Sequence, residues 1–244
     1  MKITITKKKA ILSVLLIILI ATICMILIFG LILPRKREKD KKEEQKRQVQ
    51  QYWDNKFEIY EQENAEYDDY EVEVAFIGDS LTDGCNLESY YPKYLTSNRG
   101  IGGDTTFNLQ DRLQLSLYDL KPKVVVMLIG GNNLDTMLDN YESILTSIKA
   151  NLPRTKIVLV SLTPMGGEWA KRNQLATYNN VVIEKLSQKY SCEFVDIFTP
   201  LFDETTGEIN KLYTSDGVHF SNEGYLVVSS KIIPAIDKAL SDFE

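Results

Sequence analysis

Between Ala10 and Leu33 no position carries a charge, and isoleucine, leucine and valine dominate. At about 1.5 Å rise per residue this run spans roughly 36 Å as a helix, enough to cross a hydrocarbon core of about 30 Å. Lys7, Lys8 and Lys9 precede it, and Arg35, Lys36 and Arg37 follow. The apolar part of a cleaved signal peptide is shorter, about 7–15 residues, and ends in a small-residue cleavage site. No such pattern closes this run. Cys24 lies inside it with apolar residues following, which argues against a lipid-modified start. Residues 1–33 are therefore expected to be an N-terminal tip and a retained single-pass membrane anchor, the span itself at about 10–33. Lys/Arg are more numerous after the run than before it, which by the positive-inside rule would keep the C-terminal part in the cytoplasm. A lone N-terminal anchor more often exports the domain behind it. The expectation is a cytoplasmic tip and an extracytoplasmic domain.

From Pro34 to about Gln51 the pattern turns to Lys, Glu, Gln and Arg, then to an acidic, tyrosine-rich run ending at Tyr70. No apolar face is visible before Tyr52. Mixed charge at this spacing supports a solvated helix, so 34–70 reads as a charged stalk or linker, partly helical. From Glu71 the texture changes again, and 71–244 reads as the folded domain. Short apolar runs at Val72–Ile77, Val124–Ile129, Ile157–Leu162 and Cys192–Ile197 predict buried strands, with another strand near Thr96–Gly100. Helical spacing fills Met137–Leu152, Lys171–Tyr190 and Asn222–Leu240, and Asp104 reads as the N-cap of a helix running to Leu120. Strand and helix alternate about five times, which predicts an α/β fold: a parallel sheet with helices on both faces and right-handed crossovers. In such sheets ligands bind beyond the carboxyl ends of the strands, so the loops after the apolar runs are where chemistry is sought.

Charge excludes one class of partner. The chain carries 28 Lys/Arg and 34 Asp/Glu. Counted from the same sequence, the excess acidity lies entirely in the domain, and the basic footprint of a nucleic-acid binder is missing. The three cysteines, Cys24, Cys85 and Cys192, set up no disulfide framework.

The first apolar run ends in Gly78-Asp79-Ser80-Leu81, which places a serine in a strand-to-helix turn, where backbone N–H groups favour a developing negative charge. His219 is the single histidine of the chain, so any serine–histidine mechanism must use it. Asp216 precedes it by three residues, within reach of the imidazole Nδ1–H, where a carboxylate fixes the tautomer and stabilises the imidazolium. Two other loops offer oxyanion donors. Asn98 to Thr105 contains Gly102 and Gly103, and Ile129 to Leu134 contains Asn132. Each loop alone could be a plain turn or cap.

Ser80, Gly103, Asn132 and His219 occur in that order, each at a predicted strand end or before the last helix. Taken together they resemble the SGNH (GDSL-type) hydrolases over residues 72–240. The forms Asn-x-Gly-Ile-Gly-Gly-Asp and Gly-Asn-Asn are similar to the branch that includes platelet-activating factor acetylhydrolase catalytic subunits. The resemblance implies a flavodoxin-like three-layer α/β/α sandwich with a five-stranded parallel sheet, and ester hydrolysis needing neither metal nor other cofactor. By position it implies Ser80 as nucleophile, His219 as base and then acid, and Asp216 as its orienting carboxylate. The oxyanion hole would comprise the backbone N–H groups of Ser80 and Gly103 and the Asn132 amide, with Gly102 the competitor for the glycine. An acyl-enzyme on Ser80 would be released by water.

The resemblance also implies the substrate class, a short acyl ester, such as an O-acetyl group, of a carbohydrate or a lipid. The loops Pro164–Arg172 and Thr199–Ser215 are expected to wall the pocket, where Trp169 and Tyr213 either stack on a sugar ring or serve as aromatic packing within a long loop. The same acyl-enzyme could instead feed an O-acyltransferase, and the frame could also serve a non-catalytic carbohydrate-binding module, although the motif positions are intact.

Overall fold

The computed structural model describes residues 2–27, 29–30 and 33–243. Positions 28, 31 and 32 of the expected anchor lie outside the described residues. The chain divides into two units, Met1–Asn55 and Lys56–Glu244. The first holds α1 (Lys2–Leu27) and most of α2 (Leu33–Glu66). Within α1, the stretch Lys7–Leu27 is long and apolar enough to cross a membrane by length and composition. The part of α2 in this unit is solvated, with exposed pairs such as Lys39–Glu43 at 3.8 Å, each worth only about 0.3–0.5 kcal/mol. The second unit begins at Lys56, inside the segment read as stalk. Tyr60 is 1% exposed, so the last turns of α2 are packed into the folded unit and do not act as a linker.

In the second unit five parallel strands form one sheet: β1 (Val74–Gly78), β2 (Thr96–Gly100), β3 (Val124–Leu128), β4 (Lys156–Val160) and β5 (Glu193–Val195), in the order β2-β1-β3-β4-β5. The β1 run, VAFIG, is buried at all five positions, as is the β3 run, VVVML. That continuous burial is what a parallel strand covered on both faces requires. Successive side chains alternate between two cores. Ala75, Ile77, Val125 and Met127 pack into one with Leu109, Tyr141 and Ile183. Val74, Phe76, Val126 and Leu128 pack into the other with Val228, Ile232 and Ile236. The first core is covered by α5 (Thr106–Asp111), α6 (Leu138–Asn151) and α7 (Asn173–Lys189). The second is covered by α3 (Ser80–Asp83), α4 (Leu87–Tyr90), α8 (Phe198–Leu201) and α9 (Asn222–Ser241). This is the three-layer α/β/α sandwich, and its strand order reverses direction beside β1, the position at which doubly wound sheets open a crevice.

Two local expectations change. The helix expected to run to Leu120 stops at Asp111 and continues as a π-helical turn over Gln114–Tyr118. Its N-cap is Thr105, whose side chain accepts from Asn108 N in a capping box, and not Asp104. Asp104 is fully buried and its Oδ2 accepts from Arg112 Nε at 2.7 Å. A carboxylate committed to a buried guanidinium cannot turn out to cap a helix.

Candidate active site

Ser80 is the first residue of α3, two positions after β1 ends. The turn is held by Asp79, whose carboxylate accepts from Leu81 N at 3.1 Å as the N-cap. Asp79 is buried, and burial pushes its carboxyl up from 3.8 to about 6, against the lowering effect of the Leu81 N–H. That displacement corresponds to roughly 3 kcal/mol against the ionised form. A raised folded pKa means the native state holds a proton that the unfolded chain has released, so the penalty is complete above pH 6 and gone below about 4. Asp79→Asn keeps the capping acceptor and removes the charge. It should stabilise the protein by on the order of 1–3 kcal/mol at pH 8, with the gain shrinking as pH falls through 6. Urea unfolding of wild type and variant across this range measures it; a difference independent of pH would contradict the assignment.

His219 enters from the loop before α9. Ser80 Oγ lies 3.0 Å from His219 Nε2, and His219 Nδ1 lies 2.7 Å from Asp216 Oδ2. The other Asp216 oxygen accepts from the backbone N of Val218 at 2.9 Å and of His219 at 2.8 Å. The three-residue spacing therefore lets one carboxylate close the turn and hold the ring together. The hydrogen bond from the ring, then that from the His219 backbone, holds the Asp216 carboxyl down at about 2. It stays ionised at any pH where the enzyme would be assayed. As an ionised acceptor it takes the Nδ1–H, which leaves Nε2 to accept from Ser80 Oγ. Gly217 sits between them at φ +91, and a Cβ there would meet Gly166 O at 2.9 Å, so the turn requires glycine. The same approach carries a hydrogen bond, Gly166 N to Gly217 O at 2.7 Å, tying this turn to the loop after β4.

The oxyanion candidates come from the ends of β2 and β3. Asn132 lies in a 3-10 turn, Gly131–Asn133, and its Nδ2 donates to Asp104 O at 2.8 Å. An amide nitrogen has two hydrogens, so one fixes the side chain and the other is left for a ligand. Asn133 braces the same loop, accepting from Thr106 N at 3.2 Å and donating to Thr106 Oγ1 at 3.0 Å. Gly103 is exposed at φ +82, with open space where a Cβ would be. Gly102 N donates instead to Asp83 Oδ2 at 3.2 Å.

A cleft of about 520 Å³ runs over these groups, lined by Asp79, Ser80, Leu81, Gly131, Asn132, Thr163, Met165, Trp169, Arg172, Asp216, Val218 and His219. The expected wall Pro164–Arg172 is present through Met165, Trp169 and Arg172, and Trp169 is half exposed at its edge. Arg172, which the sequence reading did not single out, is turned to Asp135 Oδ2 at 2.6 Å. The other expected wall, Thr199–Ser215, contributes no lining residue. It folds into a small hairpin, β6 (Phe202–Asp203) and β7 (Glu208–Ile209), that supports the first wall by Gly167 N to Glu208 Oε2 at 3.2 Å. Tyr213 likewise packs against the Val74–Ile236 core and does not line the cleft.

A serine hydroxyl, an imidazole with its carboxylate and a neighbouring amide, at the switch point of a doubly wound sheet, form the arrangement that a serine hydrolase requires. Residues 76–227 match the GDSL-like Lipase/Acylhydrolase family. The chain is 30% identical over 175 residues to platelet-activating factor acetylhydrolase IB subunit alpha1 of Bos taurus, covering 67% of this chain and 75% of that protein. With the alpha2 subunit of Rattus norvegicus the identity is 27%, over 71% of this chain and 80% of that one. Among solved structures, a GDSL-like lipase of Bacteroides thetaiotaomicron superposes with a TM-score of 0.66 at 28% identity, over 75% of this chain and 98% of that one. The chain belongs to the GDSL-like lipase/acylhydrolase family and is a carboxylic ester hydrolase.

Proposed function

We propose that this hydrolase cleaves a short-chain ester, an O-acetyl group above all, from a carbohydrate or a lipid, through an acyl-enzyme on Ser80. The observation that carries the reading is the relay Ser80 Oγ–His219 Nε2–Asp216, at 3.0 and 2.7 Å. His219 takes the Ser80 proton as Oγ attacks the carbonyl carbon, and the negative charge forming on the carbonyl oxygen is met by Ser80 N–H, Gly103 N–H and the free Asn132 amide hydrogen. His219 then gives the proton to the leaving alcohol oxygen. A water, deprotonated by the same imidazole, attacks the acyl carbon and restores Ser80. The engagement of Gly102 N with Asp83 supports Gly103 as the glycine donor.

The lining mixes Leu81, Met165 and Val218 with Asp79, Asp216 and Arg172, which suits a small acyl group joined to a polar alcohol. The acetylhydrolase relatives point the same way. The apolar helix at the N-terminus supports a membrane anchor. We place the hydrolase domain on the extracytoplasmic side, as a lone N-terminal anchor more often exports the domain behind it, where an envelope glycan or a lipid would be within reach. Initial rates of the full chain in detergent on aryl acetate, butyrate and octanoate test the acyl preference. A pocket fitted to acetyl should favour it over octanoate by at least roughly tenfold in kcat/KM. Octanoate as the best substrate would reject the short-acyl reading. Turnover that appears only when a sugar alcohol is added would favour transfer over hydrolysis.

A further inference from the structure

The last turns of α2 lie outside the stretch that matches the family, which begins at residue 76. Their polar contacts nevertheless converge on the chain that leads into Gly103. Tyr60 Oη, buried, donates to Gly100 O at 2.8 Å. Arg99 is 0% exposed and its guanidinium lies 4.7 Å over the Tyr60 ring. It donates from Nη2 to Glu63 Oε2 at 2.8 Å and from Nε to Ser97 Oγ at 2.6 Å, and Ser97 Oγ donates in turn to Glu63 at 2.6 Å. Lys56 pairs with Asp83, the same carboxylate that accepts from Gly102 N. Asp83 closes α3, the helix that Ser80 opens.

Burying an arginine costs several kcal/mol unless it is fully paired, so a network of this kind commits the last turns of α2, from Lys56 on, to one position against β2. Three of its bonds end on residues 97, 100 and 102, just before the left-handed Gly103. We propose that Lys56 and Tyr60 are positioning residues for the oxyanion hole: Tyr60 through the Gly100 carbonyl, and Lys56 through Asp83 and Gly102, fix the direction of the Gly103 N–H. The inference rests on the hydrolase reading of the site. It adds to the machinery a helix that the family match does not include.

Tyr60→Phe removes only the hydroxyl, and Lys56→Met removes, at a less buried site, the ammonium that pairs with Asp83. Asn64→Leu is the control. Asn64 belongs to the same turns, but its Nδ2 donates to Leu115 O at 2.8 Å, away from the oxyanion loop. In the full chain, Tyr60→Phe should lower kcat by roughly 5–20-fold with KM within about twofold, the effect of one buried hydrogen bond lost from preorganisation. Combined with Asn132→Ala, its loss should be smaller than the product of the two, because both act on one hole. Amide hydrogen exchange across residues 100–104 of the unliganded protein should speed up in Tyr60→Phe and Lys56→Met but not in Asn64→Leu. Exchange unchanged in the first two variants, or kcat losses matched by Asn64→Leu, would overturn the proposal. A wild-type chain that turns over no ester, yet shows the exchange difference, would count against the hydrolase reading and still support the hold of α2 on this loop.

Discussion

Ser80→Ala should leave the fold intact and lower ester turnover by on the order of 10⁵–10⁶ in kcat, the range seen when a triad member is removed. Ser80 is only partly exposed, and its hydroxyl makes one side-chain hydrogen bond, to His219 Nε2 at 3.0 Å. Removing one oxygen there leaves no buried group unsatisfied, so little stability is at stake. The informative companion is the pair with His219→Ala. In the proposed mechanism Ser80 and His219 act as a unit, and the base matters only because it takes the serine proton. The double variant should be no slower than either single one, within a factor of about three. Fully multiplicative losses would mean that His219 acts independently of Ser80. Asp216 is held ionised down to about pH 2, so its carboxylate remains an acceptor for the His219 ring across the assayed range.

Asn132→Ala should cost on the order of 10²–10³ in kcat with little change in KM, because the amide is asked to bind the oxygen as it becomes charged and not the neutral carbonyl. The variant also loses the bond from Asn132 Nδ2 to Asp104 O, so a loosened loop must be separated from a lost donor. Asn133→Ala does this. Asn133 braces Thr106 by two hydrogen bonds and is absent from the cleft lining. It should cost less than about tenfold, the effect of slack in the loop without loss of a donor. Equal losses in the two variants would place Asn132 outside the hole and make it a brace.

Much of the fold was legible because a parallel strand buried on both faces reads as an unbroken apolar run. Val124–Leu128 is such a run, and so is the run before Gly78. The candidate site was legible for a related reason. Its side chains sit immediately after those runs, and a single histidine removes any choice of base. What stayed hidden depends on contacts between distant segments. Asp104 has the composition and place of an N-cap, and nothing local reveals that Arg112 takes its carboxylate 2.7 Å away in the interior. Tyr60 and Glu63 lie in a helix whose turns up to Gln51 are almost entirely charged and polar, so its docking turns are hard to see until Arg99 is seen to need them. Tyr213 was a fair guess for a sugar platform by type and position. It packs on the core because the Thr199–Ser215 segment folds under the Pro164–Arg172 loop and not beside the cleft.

The proposed mechanism requires a covalent acyl group on Ser80, which rapid quenching with intact-protein and peptide mass analysis detects. The full chain is mixed with an aryl acetate, stopped in acid within the first turnover, and digested. The account predicts one acetyl group per chain on the peptide containing Ser80, formed as fast as the aryl alcohol is released and absent from Ser80→Ala. Aryl alcohol release at full rate with no acetyl group on that peptide, or release that persists in Ser80→Ala, would contradict it.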